Sequence, residues 1–419
     1  MAARATKAAR TAAIKPNTLI VDNGGFTIKA GLATPKPSSN DCHIIPNFIA
    51  RDQDRKVYVG AQIEKCKDFF HLVMRRPVER GMIVNWEQER AIWHESFLSE
   101  NNALIKCDPH ETNLILAEAP NVFPVLQSNC DQIVFEECEF ASYYRCIGSS
   151  LNAYGPKGLA DYMLVIDSGY SHTTVTPLVN GQPVQSGIRR LDIGGKHLTN
   201  YLSELLAIHE VSLKEDPWIA NEVKEACCFI TDDFKRDMER TWRGHNMDPT
   251  ICVDVQLPDY QEFSNVVVKP FEPKAASLRT KSDVATLGNE RFQVPEILFN
   301  PGDIGMVEGG LAELVMQSVS QLPESLQHLM LANVLLVGGN ALLPGFLERL
   351  RVELRQLVPS DMKITISGPE EPVKSTWLGG AYMASDEALL TKHLVTKKEY
   401  EEHGSNSNWL ANRFRGTGT

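Results

Sequence analysis

The pattern of apolar and polar positions along the chain predicts alternating strands and helices. Residues 19–32, "LIVDNGGFTIKAGL", contain two short apolar strands joined by a glycine turn with an aspartate at its start. Residues 162–181, "YMLVIDSGYSHTTVTPLVNG", repeat the order of apolar strand, aspartate, small residue, glycine and β-branched strand. A repeated unit of this kind indicates two lobes of similar fold, each presenting a hairpin to a shared cleft.

Further elements are predicted around these two hairpins. Apolar runs with strand character are "HIIPNFIA", "KVYVGAQI" and "ETNLILAEA". Bulky apolar residues at steps of three to four predict helices in "NWEQERAIWHESFLSE", "NCDQIVFEECEFASYYRCIGSSLNAY" and "IANEVKEACCFITDDFKRDM". Glycine turns that lead into helices are predicted in "LDIGGKHLTNYLSELL", "VLLVGGNALLPGF" and "TWLGGAYMAS".

The length of 419 residues predicts two domains, or one fold whose two lobes each bury a core. We predict a first lobe over residues 18–157 and a second lobe over residues 158–404, with the closing C-terminal helices in the second. Residues 1–17 carry basic but no acidic side chains and no bulky apolar face, which favours a disordered basic tail over a transit peptide. Residues 405–419 are predicted to be a flexible tail.

Residues 239–287 lose the periodicity of the flanking segments and are predicted to be an insertion in the second lobe. Their apolar content predicts the main partner-specific surface, because exposed apolar patches usually mark interfaces. The alternative is that the same side chains pack onto their own lobe. The side chains concerned are Trp242, Ile251, Val253, Val255, Leu257, Tyr260, Phe263, Val266, Val267, Val268 and Phe271.

Composition and charge narrow the class of protein. The chain is 43% hydrophobic and 23% charged, and its apolar runs are far shorter than the ~20 residues of a membrane-spanning helix. The net charge of −11 argues against a body that grips DNA by bulk attraction and suits a basic protein partner. The nine cysteines form no metal-binding pattern, which predicts reduced thiols in the cytosol or nucleus.

Three glycine turns follow predicted strands and offer backbone N–H groups to phosphate oxygens, although each alone is also explained as a tight turn. They are "DNGG" at 22–25, "DSGY" at 167–170 and "VGGN" at 337–340, the last with a helix expected just after it. Asp22 and Asp167 hold equivalent positions in the two repeats, so a cation such as hydrated Mg²⁺ is expected between them.

These segments together resemble the actin family. "VDNGGFTIKAG" and "VIDSGYSHTTVTP" resemble its two phosphate hairpins, and "RLDIGGKHLTNYL", "NERFQVPEILFNP", "VLLVGGNALLPGF" and "TWLGGAYMAS" resemble later family segments in unbroken order over residues 18–404. The resemblance implies an α/β fold of two lobes built from duplicated mixed-sheet domains, shared with sugar kinases and Hsp70-type chaperones.

The resemblance also implies a nucleotide site. ATP or ADP with Mg²⁺ is expected as a structural cofactor, with no cofactor as the alternative, and Asp22 and Asp167 would hold the metal through water. The implied cofactor-binding residues are Asp22, Asn23, Gly24, Gly25, Lys29, Asp167, Ser168, Gly169, Gly195, Lys224, Glu225, Gly338, Gly339 and Asn340.

The phosphate turns depart from the family pattern. Conventional actin has a serine and then a glycine where this chain has Gly25 and Phe26, and an acid and a glycine where it has Tyr170 and Ser171. A bulky ring beside a phosphate turn, with the serine hydroxyl absent, weakens the seat of the terminal phosphate.

Two further departures concern hydrolysis. Actin's water-orienting glutamine position holds Gly148, and its second-hairpin histidine position holds Thr174. Hydrolysis in such sites depends on positioning and charge stabilisation, so ATP turnover is not expected and no catalytic residue is assigned.

Within the family the chain looks most like nuclear members, an impression carried by "ERGMIVNWEQERAIW", "GGKHLTNYL" and "PEILFNPGDIG". The resemblance implies a non-catalytic subunit of a chromatin-remodelling complex that exchanges a histone H2A variant, in the nucleus and also in the cytoplasm. The implied partners are the remodeller ATPase, a small zinc-finger subunit and, through the complex, histones or the nucleosome with weak DNA contact. The alternatives are a cytoskeletal filament protein, which the short loop "ARDQDRKVYVG" disfavours, and an ATPase of the same fold.

Overall fold

Among the residues that the computed structural model describes, two six-stranded sheets organise the fold, one built mainly from the first half of the chain and one from the second. The structure describes residues 17–99, 103–208, 212–242, 247–258, 265–271, 284–404 and 408–415. Residues 1–16 of the predicted N-terminal tail and residues 405–407 and 416–419 of the predicted C-terminal tail lie outside the described residues. Each sheet carries its own large apolar core, which confirms the predicted α/β class with two lobes.

The first half of the chain supplies five of the six strands of one sheet, together with several smaller pieces. Its strands and helices are β1 Asn17–Asn23, β2 Thr27–Leu32, β3 His43–Pro46, β4 Ile49–Arg51, β5 Val57–Val59, β6 Val73–Arg75, β7 Val78–Glu79, β8 Met82–Ile83, α1 Trp86–Trp93, β9 Thr112–Glu118, α2 Pro124–Gln132, β10 Ser142–Ile147 and α3 Gly148–Leu151. β1 pairs antiparallel with β2 and parallel with β9, and β10 extends the sheet parallel to β9. The predicted first hairpin is therefore confirmed.

The predicted helix over residues 129–154 was wrong in its second half. The helical part ends near Glu137, and "SYYRCI" forms β10 inside the sheet. Tyr143 and Tyr144 are neighbours on this strand and are both buried, so both faces of the strand are covered. A strand buried on both faces lacks the alternation of apolar and polar residues, so periodicity does not distinguish it from a buried helix.

The second half of the chain builds the other sheet around the second hairpin. Its elements are β11 Tyr154–Gly155, β12 Gly158–Leu159, β13 Tyr162–Ser168, β14 Thr173–Val179, β15 Gln182–Pro183, β16 Arg189–Leu191, α4 Gly195–Ile208, α5 Pro217–Cys227, α6 Phe234–Thr241, β17 Val253–Gln256, β18 Val267–Pro270, β19 Val284–Leu287, α7 Glu290–Glu296, α8 Leu311–Val319, α9 Glu324–Leu331, β20 Val334–Val337, α10 Phe346–Leu357 and β21 Ile366–Ser367. β13 pairs antiparallel with β14 and parallel with β20, as β1 does with β2 and β9.

Two helix predictions in this half need correction. The single helix expected over residues 219–238 is two helices, because the chain is extended at Cys228 and Asp233 caps α6 by accepting from the backbone N–H of Arg236 at 3.0 Å. The helix expected directly after "VGGN" starts only at Phe346, after a short 3₁₀ turn over Gly339–Leu342. The positive end of a helix dipole therefore does not follow this glycine turn directly.

The chain returns to the first lobe near its C-terminus, which corrects the predicted lobe boundary. The closing elements are α11 Ser375–Ser385, α12 Glu387–His393, β22 Val395–Thr396, α13 Lys397–His403 and α14 Asn408–Arg415. β22 pairs with β10, and the fully buried Trp377 of α11 belongs to the core of the first lobe. "TWLGGAYMAS" was predicted as a glycine turn leading into a helix, but it lies entirely within α11. Its Gly379 allows the Leu151 carbonyl to approach the helix closely.

The prediction of a flexible C-terminal tail was wrong for residues 408–415. These residues form α14, and its Leu410 and Phe414 are buried in the core of the first lobe. The Phe414 ring meets the Tyr143 ring edge-on at a centroid distance of 5.2 Å. Two apolar side chains four residues apart were the available signal, but they are too few to predict a docked helix from the sequence.

The predicted insertion contains a three-stranded antiparallel sheet in the order β18, β17, β19. Ile251, Val255, Leu257 and Phe271 are buried, and Val255 and Leu257 belong to the core of the second lobe. The expectation of an exposed apolar surface was wrong for these four side chains, which pack onto their own lobe. Tyr260 and Phe263 lie outside the described residues, while Trp242 and Val268 are exposed.

A small sheet in the order β5, β4, β6 stands apart from the main sheet of the first lobe. "HIIPNFIA" was predicted as one strand but is divided between β3 in the main sheet and β4 in the small sheet. The small sheet reaches the second lobe, where Asp216 accepts a hydrogen bond from the backbone N–H of His71 at 2.5 Å. Across the described ranges, no helix has the length and apolar character needed to span a membrane.

Candidate functional site

A cavity of about 410 Å³ lies between the two lobes, and both hairpins open into it. Every predicted cofactor-binding residue except Ser168 lines this cavity. The lining residues that were predicted are Asp22, Asn23, Gly24, Gly25, Lys29, Asp167, Gly169, Gly195, Lys224, Glu225, Gly338, Gly339 and Asn340. Residues far apart in the sequence thus meet in one cleft of a size common for small-ligand pockets, about 300–1,000 Å³.

The first hairpin places an ion pair in the part of the cavity lined by Asp22, Gly24 and Lys29, which we call the inner end. In the β1–β2 register Asp22 faces Lys29, and the Lys29 ammonium lies 3.5 Å from Asp22 Oδ2. Gly24 leaves the space beside this ammonium open, because a Cβ there would lie 2.7 Å from the Thr27 carbonyl oxygen and 3.2 Å from Lys29 Nζ. A glycine cradle next to a cation fits the inner phosphates of a nucleotide.

The second hairpin has the same register but a different charge. Asp167 faces Thr174 where Asp22 faces Lys29. Burial, and to a lesser extent the negative charge of Asp22, raise the pKa of Asp167 to about 6. The negative charge of Asp22 therefore acts on Asp167, and the cation that the sequence analysis expects between the two carboxylates would offset it.

A direct protein-only metal site is absent from the described part of the chain. No three His, Cys, Asp or Glu side chains among the described residues form a group that could hold a metal ion. Mg²⁺ usually keeps several waters and binds through one or two carboxylates together with substrate phosphates. Asp22 and Asp167 fit that second arrangement, in which a nucleotide would bring the remaining ligands.

Ser168 is placed differently from the prediction. Its side chain is fully buried, and its hydroxyl bonds the Thr173 hydroxyl at 2.9 Å and accepts from Asn340 Nδ2 at 3.1 Å. Ser168 therefore holds the second turn against the "VGGN" turn instead of contacting a ligand. Gly338 completes this junction, because its φ of +94° and the nearby Ser168 carbonyl leave no room for a Cβ.

Lys224 lines the cavity, but its ammonium is already bound within the protein. It donates to Asn221 Oδ1 at 2.7 Å and to Thr199 Oγ1 at 3.1 Å, between α5 and α4. Burial lowers its pKa. Glu225 accepts from Asn221 Nδ2 at 2.8 Å, so this part of the cavity wall is organised around Asn221, which sequence reasoning missed.

Aromatic rings bridge the part of the cavity lined by Phe26 and Tyr170, which we call the outer end. Phe26 of the first turn and Tyr170 of the second turn have ring centroids 4.9 Å apart. Trp218 of α5 stacks on Phe26 at 6.0 Å, and the Arg76 guanidinium lies 4.8 Å from the Phe26 centroid and 5.0 Å from that of Tyr170. The sequence identified the two turn residues, but it gave no signal for Arg76 or Trp218, which only the fold brings to them.

A buried polar network supports the first turn from behind. Asn47 Nδ2 donates to the Gly24 carbonyl at 2.9 Å and to Glu89 Oε1 at 3.3 Å. Trp93 Nε1 donates to Asn23 Oδ1 at 3.0 Å and to Glu89 Oε1 at 3.1 Å. Burial raises the pKa of Glu89 to about 7, partly opposed by these hydrogen bonds. Sequence reasoning missed Glu89, because a charged residue on a helix is expected at the surface and nothing in the sequence marks this one as buried.

His172 is a further cavity residue that the sequence analysis missed. Its ring packs against Gly81, and its Nδ1 is buried with no hydrogen-bond partner in the part of the chain that the structure describes. Burial, reinforced by Arg190, lowers the pKa of His172 to about 3, so the ring is neutral at neutral pH. The two positions at which the chain departs from actin's water-handling residues differ in place, since Gly148 lines the cavity and Thr174 is buried without lining it.

Comparisons with known proteins agree with this geometry. The sequence model of the actin family, described as Actin, matches residues 14–415. Actin-related protein 6 of Neurospora crassa is 47% identical over 95% of this chain and 94% of its own length. Actin-like protein arp6 of Aspergillus fumigatus is 42% identical over 98% and 97%. Actin-related protein 6 of Drosophila melanogaster is 34% identical over 92% and 97%. The chain therefore belongs to the actin family, and it is an actin-related protein of the actin-related protein 6 kind.

Proposed function

We propose that this protein is a non-catalytic, nuclear actin-related subunit of a chromatin-remodelling complex that exchanges a histone H2A variant and thereby contributes to transcription regulation. Its partners in this proposal are the remodeller ATPase and a small zinc-finger subunit, with histones or the nucleosome reached through the complex. Support comes from identity to relatives named actin-related protein 6 over nearly the whole chain. The observation that carries the non-catalytic part is the altered water-handling region of the cleft.

The cleft lacks the side chains that hydrolysis would need at the expected places. Gly148 offers no side chain to orient a water, and its nearest possible Cβ contact is the Thr376 methyl at 3.4 Å. Thr174 is buried and pairs with Asp167 across the hairpin. Positioning and charge stabilisation supply almost all of the catalysis in phosphoryl transfer, so their loss favours a structural role for the nucleotide.

The filament alternative receives no support from the small sheet. The turn between β4 and β5 is short and internally bonded: Asp52 accepts from the backbone N–H of Lys56 at 2.8 Å and from the Tyr58 hydroxyl at 2.9 Å. A loop that bonds to itself offers few free groups to a neighbouring subunit. We propose that the protein acts as a monomeric component of its complex and not as a filament former.

Affinity purification tests the assembly role. A tagged full-length chain expressed at native level would be recovered from nuclear extract and its partners identified by mass spectrometry. We expect a remodeller ATPase, a small zinc-finger protein and an H2A variant, with tagged conventional actin as the control for filament partners. Recovery of filament-associated proteins in place of remodeller subunits would contradict the proposal.

A separate assay tests the non-catalytic part. Phosphate release from Mg-ATP by the purified chain should not exceed that of a blank, while conventional actin measured beside it provides the positive control. We expect that Gly148→Gln alone does not restore turnover, because Phe26 and Tyr170 still occupy the outer end of the cavity. Turnover by the wild-type chain at the rate of conventional actin would refute this part of the proposal.

A further inference from the structure

The outer end of the cavity is closed by contacts between the two lobes. Phe26 and Tyr170 come from opposite phosphate turns, and their tilted rings touch across the cleft. The turns also meet directly, because a Cβ on Gly25 would overlap the Ser171 hydroxyl. The gap in which a terminal phosphate would lie between two facing glycine turns is therefore filled by protein atoms.

A cation close to these turns is held away from the cavity. The Arg76 guanidinium is surrounded by the rings of Phe26, Phe48 and Tyr170 at 4.8–5.0 Å. Its Nη1 donates to the Gly25 carbonyl at 3.5 Å, and Arg76 does not line the cavity. Cation–π contacts of this kind stabilise a desolvated guanidinium where it stands, so Arg76 strengthens the aromatic bridge instead of binding a phosphate.

The charges at the inner end of the cavity also disfavour a third phosphate. Asp22 and Asp167 already line the cavity, and the Lys29 ammonium is shared with Asp22 at 3.5 Å. A third phosphate would gain no charge partner from Arg76, which does not line the cavity. The inner seat formed by Gly24 and Lys29 nevertheless remains open for the first phosphates.

We propose that the cleft is a selective site for a nucleoside diphosphate, and that Phe26 and Tyr170 are the residues that exclude the third phosphate. This proposal deepens the structural-cofactor part of the proposed function and rests on it. Beside the bridge, Trp218 and the Asp216–His71 contact also tie the region of the small sheet to the second lobe.

Equilibrium binding to the full-length wild-type chain tests the selectivity directly. ADP, ATP and AMP would each be titrated by calorimetry in the presence of Mg²⁺, with the chain first freed of nucleotide. We expect ADP to bind at least about tenfold more tightly than ATP, a difference of about 1.4 kcal/mol, and AMP to bind more weakly than ADP. Equal or tighter binding of ATP would overturn the proposal, and so would failure of all three nucleotides to bind.

The double variant Phe26→Gly/Tyr170→Asp tests the residues named. We expect the ratio of ADP to ATP affinity to fall at least about tenfold, chiefly through tighter ATP binding. Phe69→Ala is the matched control, because Phe69 stacks on Trp218 at 5.5 Å and supports the bridge without lining the cavity. A control that changes the ratio as much as the double variant would mean that loosening the lobes, and not phosphate exclusion, sets the selectivity.

Two safeguards keep the outcomes separate. If the double variant does not fold, as judged by circular dichroism, Phe26→Gly alone takes its place, and the wild-type comparison of ADP with ATP still decides the proposal. If the tagged chain assembles with remodeller subunits but binds ADP and ATP equally, the diphosphate proposal fails while the assembly role stands. If the chain binds ADP selectively but recovers no remodeller subunit, the assembly role fails while the diphosphate proposal stands.

Discussion

The two hairpins at the cleft have the same backbone but different charges. β1–β2 and β13–β14 both pair antiparallel, and each first strand pairs parallel with a later strand of its own sheet. At the equivalent register position Asp22 faces Lys29, whereas Asp167 faces Thr174. The repeat therefore preserves pairing and turn position, while the electrostatics of the two halves have diverged.

Their supports differ as well. The first turn is held through Asn47 by the buried carboxyl group of Glu89, whose pKa burial raises to about 7. The second is held by hydroxyl and amide groups of Ser168, Thr173 and Asn340, which do not titrate. Two turns of the same shape can thus respond differently to pH and to substitution.

The largest expected effect comes from exchanging a residue between equivalent positions of the hairpins. Gly31 pairs with Ile20 as Thr176 pairs with Val165, yet a Cβ on Gly31 would overlap the Asp41 carbonyl and the Trp377 ring. We expect Gly31→Thr to lower the free energy of unfolding by about 3 kcal/mol, through overpacking against atoms that cannot yield.

Urea denaturation followed by circular dichroism measures this loss. Gly155→Thr is the matched control, because a Cβ on Gly155 meets no atom within 4 Å in the structure. A loss for Gly31→Thr no larger than that of the control would show that the first hairpin accepts side chains as readily as the second.

The second prediction concerns the titrating support of the first turn. Burial raises the pKa of Glu89 to about 7 from an ordinary value of 4.5, so its contribution to stability is full below about pH 4.5 and is lost as the pH rises through about 7. Between about pH 5.5 and about pH 8 we expect the wild type to lose about 2 kcal/mol more unfolding free energy than Glu89→Gln.

The measurement is urea denaturation across this pH range. Glu87→Gln, which changes an exposed carboxylate two residues earlier on α1, should retain the pH dependence of the wild type. Identical pH profiles for wild type and Glu89→Gln would show that the carboxyl group does not titrate where its burial predicts.

Local patterns sufficed to predict the hairpins, and the repeat sufficed to predict the cleft. Strand, aspartate and glycine turn are adjacent in the sequence, so Asp22 and Asp167 were identified and were found in one cavity. β10 was missed because a strand buried on both faces lacks alternation, and the return of α11 to the first lobe was missed because no local signal marks a crossing. Arg76 and Glu89 were missed because they contact residues distant in the sequence, and local spacing of residues does not predict such contacts.

The third prediction compares the two aspartates directly. Asp167 has a raised pKa, so at about pH 8 its ionised form opposes folding of the nucleotide-free protein, and Asp167→Asn should stabilise it by about 1 kcal/mol. Asp22→Asn removes the partner of the largely buried Lys29 and should destabilise it by about 1 kcal/mol.

Thermal and urea unfolding of both variants at about pH 8 test whether one substitution stabilises the protein and the other destabilises it. Near pH 4.5 the gain from Asp167→Asn should shrink, because protonation already neutralises the wild-type carboxylate there. Shifts of the same sign for both variants would mean that the two hairpins are electrostatically equivalent after all.

The smallest effect is expected at Thr176, the counterpart of Gly31 in the second hairpin. Its hydroxyl is fully buried and has no hydrogen-bond partner among the described residues, so it carries a desolvation cost without compensation. Thr176→Val keeps the shape of the side chain and should raise the unfolding free energy by about 0.5 kcal/mol. Thr173→Val is the control, because that hydroxyl donates to the Ile193 carbonyl at 2.9 Å and its removal should destabilise the protein. If both substitutions destabilise the protein equally, a bound water satisfies the Thr176 hydroxyl. The second hairpin is then supported at this position by a polar side chain, whereas the first hairpin has only the backbone of Gly31 there.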